Sequence, residues 1–230
     1  GHDLDALRDA VTPATRLLYL ANPNNPTGTW YPADAFSRFV AAVPDDVIVV
    51  VDEAYAESAD ASDYASAMAL QGAHRNLLVT RTFSKAYALA GLRVGYAIGD
   101  PALIAVLERV RESFNLNNVA LAAAEAALAD VEHLRASLAG NAAQRTALAD
   151  ALRARGWPVS PSQTNFLLVE FGARTTRIEQ ALRDAGVVLR PMGGYGLADC
   201  LRITVGDADE NRRLLAALDH ATQASGPVAA

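Results

Sequence analysis

Arg81-Thr82-Phe83-Ser84-Lys85, with Ala90-Gly91-Leu92-Arg93-Val94-Gly95-Tyr96 close behind it, is the stretch on which the reading of this chain turns. Lys85 is the only lysine among 230 residues. A lysine is the side chain whose neutral amine condenses with an aldehyde. Lysines taken at random are mostly solvated, so the surroundings must say whether this one has a task. It follows two hydroxyl side chains, Thr82 and Ser84, and precedes a glycine-containing segment that carries a guanidinium at Arg93. Hydroxyls and a bidentate guanidinium together suit an anion.

Working outward, Asn76-Leu77-Leu78-Val79-Thr80 reads as a strand that runs into the lysine loop, and Val94-Gly95-Tyr96-Ala97-Ile98 as the strand that leaves it. Val47-Ile48-Val49-Val50-Val51 is β-branched throughout and ends at Asp52-Glu53-Ala54-Tyr55. Leu17-Leu18-Tyr19-Leu20-Ala21 is a compact apolar run, the form of a strand covered on both faces. It ends in Asn22-Pro23-Asn24-Asn25-Pro26-Thr27-Gly28, whose prolines and glycine exclude regular structure. Residues 4–10 and Pro32–Ala42 pattern as helices, the second with Pro32 near its first turn. Strands alternating with helical or loop segments predict an α/β domain built on a mostly parallel sheet. Ligands of such sheets bind outside the carboxyl ends of the strands. The three polar motifs of this chain lie at those ends.

Downstream, helices are predicted over Pro101–Arg111, Val119–Ala129 and Glu132–Arg155, with Gly156-Trp157-Pro158 closing the last. The pattern then changes. Asn165–Glu170, Val187–Arg190 and Leu201–Val205 read as strands, and Thr176–Ala185 as a helix stopped by Gly186. Asp207 or Asp209 is expected to cap a final helix through Thr222, with the tail Ser225–Ala230 frayed. The domain expectation is residues 1–115 as part of a large α/β domain, and 116–230 as connecting helices and a smaller α+β C-terminal domain.

The totals narrow the field. Hydrophobic residues make up 51 %, a globular composition, and the net charge of −6 argues against nucleic acid as a partner. The single cysteine, Cys200, excludes an internal disulfide framework and offers no metal-ligand spacing. No run of 18 apolar residues exists to span a membrane, and the first residues are polar, unlike a signal peptide. A cytoplasmic protein without a metal is expected.

The scattered polar residues suit one cofactor, pyridoxal 5'-phosphate. Lys85 supplies the amine for its aldehyde. Asp52 supplies an anion beside the pyridine nitrogen, which keeps the ring protonated and electron-withdrawing. Tyr55 and Asn25 can reach the ring hydroxyl, and Thr82, Ser84 and Arg93 can hold the phosphate. Taken singly, each has a plainer reading. Asp52 is also a turn cap, Tyr55 a core aromatic and Asn25 a turn residue. An amino acid substrate adds a carboxylate. Arg202, set in the apolar strand Leu201-Arg202-Ile203, is the first candidate to grip it, although alternation also permits it to face solvent. Arg190 is the second candidate, and Arg16 and Arg81 rank behind them.

Asn22–Gly28, Val51–Tyr55, Thr82–Lys85 with Arg93, and Leu201–Gly206, in that order, resemble the fold-type I pyridoxal-phosphate aminotransferases. The doubled asparagine of Asn-Pro-Asn-Asn-Pro-Thr-Gly, the run from Phe83 to Tyr96, and Cys-Leu-Arg-Ile-Thr-Val-Gly are similar to the histidinol-phosphate aminotransferase branch. The resemblance covers nearly the whole chain. It implies that Asn25 and Tyr55 bond the ring oxygen, Asp52 pairs with the pyridinium, and Lys85 carries the cofactor and then shuttles the proton. It also implies that Thr82, Ser84 and Arg93 hold the cofactor phosphate, Arg202 the substrate carboxylate and Arg190 a substrate phosphate. The implied reaction exchanges an amino group between L-histidinol phosphate and 2-oxoglutarate in a homodimer. Other readings on the same cofactor are threonine-phosphate decarboxylase and an aromatic or aspartate aminotransferase. A non-catalytic aminotransferase-like module or fragment is the reading outside that chemistry. Family members carry a substantial segment ahead of the position of Gly1, so either the chain is a fragment or the missing part sits on another piece, and an incomplete large-domain sheet is expected.

Overall fold

The structure is a computed structural model and describes residues 1–223; the tail expectation for Ser225–Ala230 lies outside them. By packing, the chain forms two compact units. Unit 1 comprises Gly1–Asn25 and Thr29–Leu138, and unit 2 comprises Pro26–Gly28 and the described residues from Ala139 onward. The sequence expectation divided the chain at 115/116; the units part later, at Leu138/Ala139.

In unit 1, strands β1 (Leu17–Ala21), β2 (Ile48–Asp52), β3 (Leu77–Thr82) and β4 (Gly95–Gly99) form one sheet in the order β1-β2-β3-β4. The first three are parallel and β4 is antiparallel to β3. The apolar runs seen in the sequence give the buried face. Leu20, Val49, Val51, Leu77 and Val79 alternate onto one side and pack against helix α2 (Ala33–Ala42). That helix presents Phe36, Phe39 and Val40, spaced for a single face.

The register fixes the composition of the opposite face, because paired residues point the same way. Ala21 is paired with Asp52, Asp52 with Thr80, Thr80 with Ala97 and Thr82 with Gly95. Asp52 therefore shares its face with Thr80 and Thr82, among small side chains. Gly95 is required there. A Cβ at that position would stand 2.8 Å from the Arg81 carbonyl oxygen, nearer than a carbon can sit.

The remainder of unit 1 holds α1 (Leu4–Asp9), α3 (Pro101–Val110), α4 (Asn118–Ala129) and the first part of α5 (Val131–Ala154). The caps are local and legible: Asp3, Asp100 and Asn117 accept first-turn backbone N–H groups of α1, α3 and α4. Phe83, Val94, Ala120 and Ala124 form a second small core that anchors the lysine loop.

In unit 2, β5 (Phe166–Glu170), β7 (Cys200–Thr204) and β6 (Arg190–Pro191) form an antiparallel sheet in the order β5-β7-β6. Its core joins Leu148 and Leu152 of α5 to Leu167, Ile178 of α6 (Thr175–Asp184) and Leu218 of α7 (Ala208–Gln223). Asp207, not Asp209, caps α7: its carboxylate accepts from the backbone of Asp209 and Glu210, while Glu210 reaches back to the Asp207 N–H. The strand expected over Val187–Arg190 is corrected. Only Arg190 and Pro191 pair, and Val188 is 76 % exposed. An apolar β-branched run becomes a strand only where a neighbour offers its backbone groups. Among the described residues no helix is long and apolar enough to cross a membrane.

Candidate active site

The carboxyl ends of β1, β2 and β3 each open into a polar loop, and the loops are tied to one another by backbone. The Asn22 N–H donates to the Asp52 carbonyl at 3.0 Å, and the Glu53 N–H to the Thr80 carbonyl at 2.9 Å. These bonds continue the parallel ladders past the last strand residues. They set the starts of the three loops side by side.

Asp52 is partly buried, and its Oδ1 accepts the Ala54 N–H at 3.0 Å. The turn-cap reading of Asp52 is thus realised as well, and one role does not displace the other. Its Oδ2 accepts the Tyr19 hydroxyl at 2.9 Å. Three residues on, Tyr55 is buried, and the Lys85 Nζ lies 5.4 Å from its ring centroid. Lys85 itself is exposed, as is Asn25 at the end of its loop.

The lysine loop is closed by backbone bonds from Phe83 N–H to the Val94 carbonyl, Leu89 N–H to the Phe83 carbonyl and Ala88 N–H to the Lys85 carbonyl. Phe83 is buried and tilts against Tyr87 and Tyr96, with ring centroids 4.9 and 5.8 Å away. Two non-glycine residues in this loop have left-handed backbone, Ala88 with φ 58° and Arg93 with φ 55°. Such conformations are held at a cost and concentrate at functional sites. Arg93 is turned by it so that its Nη1 donates to the Ser84 Oγ at 3.3 Å and to the Ala90 carbonyl at 3.0 Å. Thr82 Oγ1 accepts the Ser84 N–H at 3.0 Å. Two hydroxyls and a guanidinium, drawn from residues eleven positions apart, are gathered at one place. That donor set suits an oxyanion.

Glu53 and Arg81 follow the opposite face. The Glu53 carboxylate is fully buried and accepts from Ser66 Oγ at 2.7 Å, Ala67 N–H at 2.5 Å and Arg81 Nε at 2.8 Å. Arg81 Nη1 also meets Glu57 at 2.6 Å. Burial raises the Glu53 carboxyl above its ordinary range, against the pull of those donors. Arg81, named from sequence among the candidate substrate cations, is thereby committed to two carboxylates. Arg16 is likewise turned onto the carbonyls of Pro13 and Thr15. Sequence reasoning missed Tyr19, Glu53, Glu57 and Ser66. Tyr19 was one more member of an apolar run, and the signal that distinguishes it is cross-strand register.

In unit 2, Arg202 lies on the central strand, with its guanidinium 4.7 Å from the Phe166 ring centroid. Arg190 of β6 is its direct antiparallel partner, so both guanidiniums rise from the same face. A cavity of about 330 Å³ in this unit is lined by Val187, Thr204, Glu210 and Arg213 among others, and includes neither arginine.

Comparison with known proteins agrees with this architecture. The family model of aminotransferase class I and II matches residues 1–218. Histidinol-phosphate aminotransferase 2 of Ralstonia nicotianae is 51 % identical over 224 residues, covering 96 % of this chain and 60 % of its own length. Histidinol-phosphate aminotransferase 2 of Pseudomonas aeruginosa is 48 % identical over 218 residues, covering 95 % and 59 %. The crystal structure of histidinol-phosphate aminotransferase from Sinorhizobium meliloti in complex with pyridoxal-5'-phosphate superposes with a TM-score of 0.90 at 34 % identity, covering 97 % of this chain and 62 % of that one. The chain thus spans about three-fifths of the length of the curated relatives it matches. The mostly parallel sheet with motifs at its carboxyl ends, and a family match across nearly all of the described residues, place the chain in the class I and II aminotransferase family.

Proposed function

We propose that this chain carries the cofactor-anchoring and carboxylate-binding residues of a pyridoxal-phosphate-dependent aminotransferase of histidine biosynthesis. The observation that carries the proposal is the convergence at the ends of β2 and β3. Asp52 and Thr82 share one face, Lys85 lies against Tyr55, and Arg93 meets Ser84. The residues fit the group by their donor chemistry. An amine, a carboxylate and an oxyanion cradle are the three things that the aldehyde, ring nitrogen and phosphate of this cofactor require. Ala21, Ala97 and Gly95 leave the sheet face beside Asp52 low.

In this reading Lys85 anchors the cofactor through Nζ, and Thr82, Ser84 and Arg93 bind its phosphate. Asp52 holds the proton on the ring nitrogen, and Tyr55 with Asn25 bonds the ring oxygen. Bound pyridoxal phosphate supplies an electron-withdrawing ring that stabilises negative charge at the substrate α-carbon. Lys85 Nζ, once released from its anchoring role, takes the α-proton and returns it one position away. Arg202 binds the substrate carboxylate and Arg190 the phosphate of L-histidinol phosphate, with 2-oxoglutarate as the amino acceptor. Because carboxylate and phosphate both suit guanidinium forks, the same cations serve both substrates in turn. A cytoplasmic homodimer acting only on small molecules completes the reading, supported by family resemblance. So do the domain roles: residues 1–115 belong to the cofactor domain, and 116–230 to connecting helices and a small domain.

The test is spectroscopic, in the protein that carries this chain. Lys85→Ala is expected to abolish the visible absorbance of bound cofactor, and borohydride reduction of the parent is expected to label the Lys85 peptide. An unchanged spectrum in the variant removes Lys85 from its role. Amino transfer from histidinol phosphate, but not from aspartate, separates the substrate reading from its rivals.

A further inference from the structure

The Asp52 carboxylate is held at both of its oxygens by the protein alone. The Ala54 N–H reaches Oδ1 from within the turn that follows β2. The Tyr19 hydroxyl reaches Oδ2 from β1, 33 residues earlier in the chain. Register explains the reach. Ala21 is the direct partner of Asp52, and Tyr19 that of Val50, so Tyr19 stands on the Asp52 face one pair back along the strand. Tyr19 and Asp52 are thus diagonal neighbours, a separation that a side chain as long as tyrosine spans. Tyr19 is 58 % exposed as a residue, but desolvation at its hydroxyl, followed by the hydrogen bond to Asp52 and the charge of Asp52, pushes the phenol up to about 12. It therefore remains a protonated donor across the neutral range.

We propose that Tyr19 is a positioning residue, whose hydroxyl fixes the rotation of the Asp52 carboxylate and so the direction in which it meets a protonated ring nitrogen. The inference rests on the reading of Asp52 as partner of the pyridine nitrogen. The terminal torsion of an aspartate is broad and two-fold. One hydrogen bond leaves the plane of the carboxylate free to swing about the bonded oxygen. A second, at the other oxygen and from a different strand, locks it before the ligand arrives, which removes the need to order it on binding.

The experiment is a double-mutant cycle on cofactor affinity, with pyridoxal phosphate as the probe. Parent, Tyr19→Phe, Asp52→Ala and the double variant are titrated, with Asp52→Asn run in parallel to guard against a folding defect. Tyr19→Phe keeps the ring and removes one donor to a charged group. It is expected to weaken binding roughly tenfold, and to have no further effect where Asp52 is already lost. A second readout needs no cofactor. The high-pH phenol transition that Tyr19→Phe removes is expected to move down from about 12 in Asp52→Ala, by the part of the shift that Asp52 rather than desolvation supplies. Unchanged affinity in Tyr19→Phe, or a full Tyr19 effect that survives loss of Asp52, overturns the role of Tyr19 and leaves the reading of Asp52 standing. Unchanged affinity in Asp52→Ala overturns both.

Discussion

Arg81 and Glu53 form a buried ion pair, with Nη2 and Oε2 2.7 Å apart, on the face of the sheet opposite Asp52. They follow one another across the ends of β3 and β2. Glu53 immediately follows Asp52, and Arg81 immediately precedes Thr82, so the pair clamps from behind the two strand ends that present the candidate site. Its components cannot be removed one at a time without leaving a buried charge. Arg81→Met strands the carboxylates of Glu53 and Glu57 and is expected to cost about 3–5 kcal/mol, read from a denaturant midpoint. The deficit should shrink on acidification. Burial already raises the Glu53 carboxyl above its ordinary 4.5, and loss of Arg81 raises it further. A carboxyl raised in the folded state favours folding below its unfolded value, and that contribution is lost as pH rises through the folded value. The gap between variant and parent is therefore widest near neutrality and narrows toward pH 4.5. A gap independent of pH would show that the loss is one of packing.

Much of this was legible in the sequence, for identifiable reasons. Val47–Val51 and Asn76–Thr80 declare themselves because strands covered on both faces need unbroken apolar runs. Lys85 stands out because no other lysine exists. Ser84 and Arg93 meet as expected, because a short loop closed at Phe83 and Val94 brings its two ends together. What escaped depends on pairing between distant strands. Nothing local tells that Tyr19 reaches Asp52 or that Arg81 belongs to Glu53. Both facts follow only once β1, β2 and β3 are aligned, and a shift of one residue would send each side chain to the other face. Val187–Leu189 fails for the converse reason: its pattern is that of a strand, but only Arg190 and Pro191 find a partner.

Gly95→Ala tests how tightly β4 is held to β3. The added methyl group would lie 2.8 Å from the Arg81 carbonyl oxygen, a backbone atom that cannot swing aside. The strands must separate locally, at the position where Gly95 is paired with Thr82. A loss of about 1–3 kcal/mol is expected, with weaker cofactor binding because Thr82 moves with its strand. A variant as stable as the parent would mean that β4 is free to shift.

Alkaline stability follows from two phenols. Tyr19 is pushed up to about 12 by desolvation at its hydroxyl, by its hydrogen bond to Asp52 and by the charge of that carboxylate. Tyr31 is pushed up to about 12 by burial, aided by the charge of Asp3. Both bind their protons more tightly in the folded chain than the ordinary value of 10 allows. Their contribution is complete below pH 10 and is lost as pH rises toward 12. Thermal midpoints of the parent are expected to fall steadily over that interval. In Tyr19→Phe with Tyr31→Phe the slope should flatten, and an unaltered slope would assign alkaline unfolding to other groups.

Arg190 and Arg202 face one another as direct partners across β6 and β7, and like charges so placed repel. The Phe166 ring lies beneath the Arg202 guanidinium, its centroid 4.7 Å away. An anion bound between them would offset that repulsion through two guanidinium forks. Inorganic phosphate at about a hundredfold above its dissociation constant is expected to stabilise the protein by about 2.7 kcal/mol. Arg190→Ala and Arg202→Ala should each remove most of that gain. In turnover the two should differ. Arg202→Ala raises KM for every carboxylate substrate, whereas Arg190→Ala harms phosphorylated substrates more than plain ones. Equal effects of Arg190→Ala on both kinds would detach it from phosphate recognition. The stabilisation by phosphate would then belong to Arg202 alone.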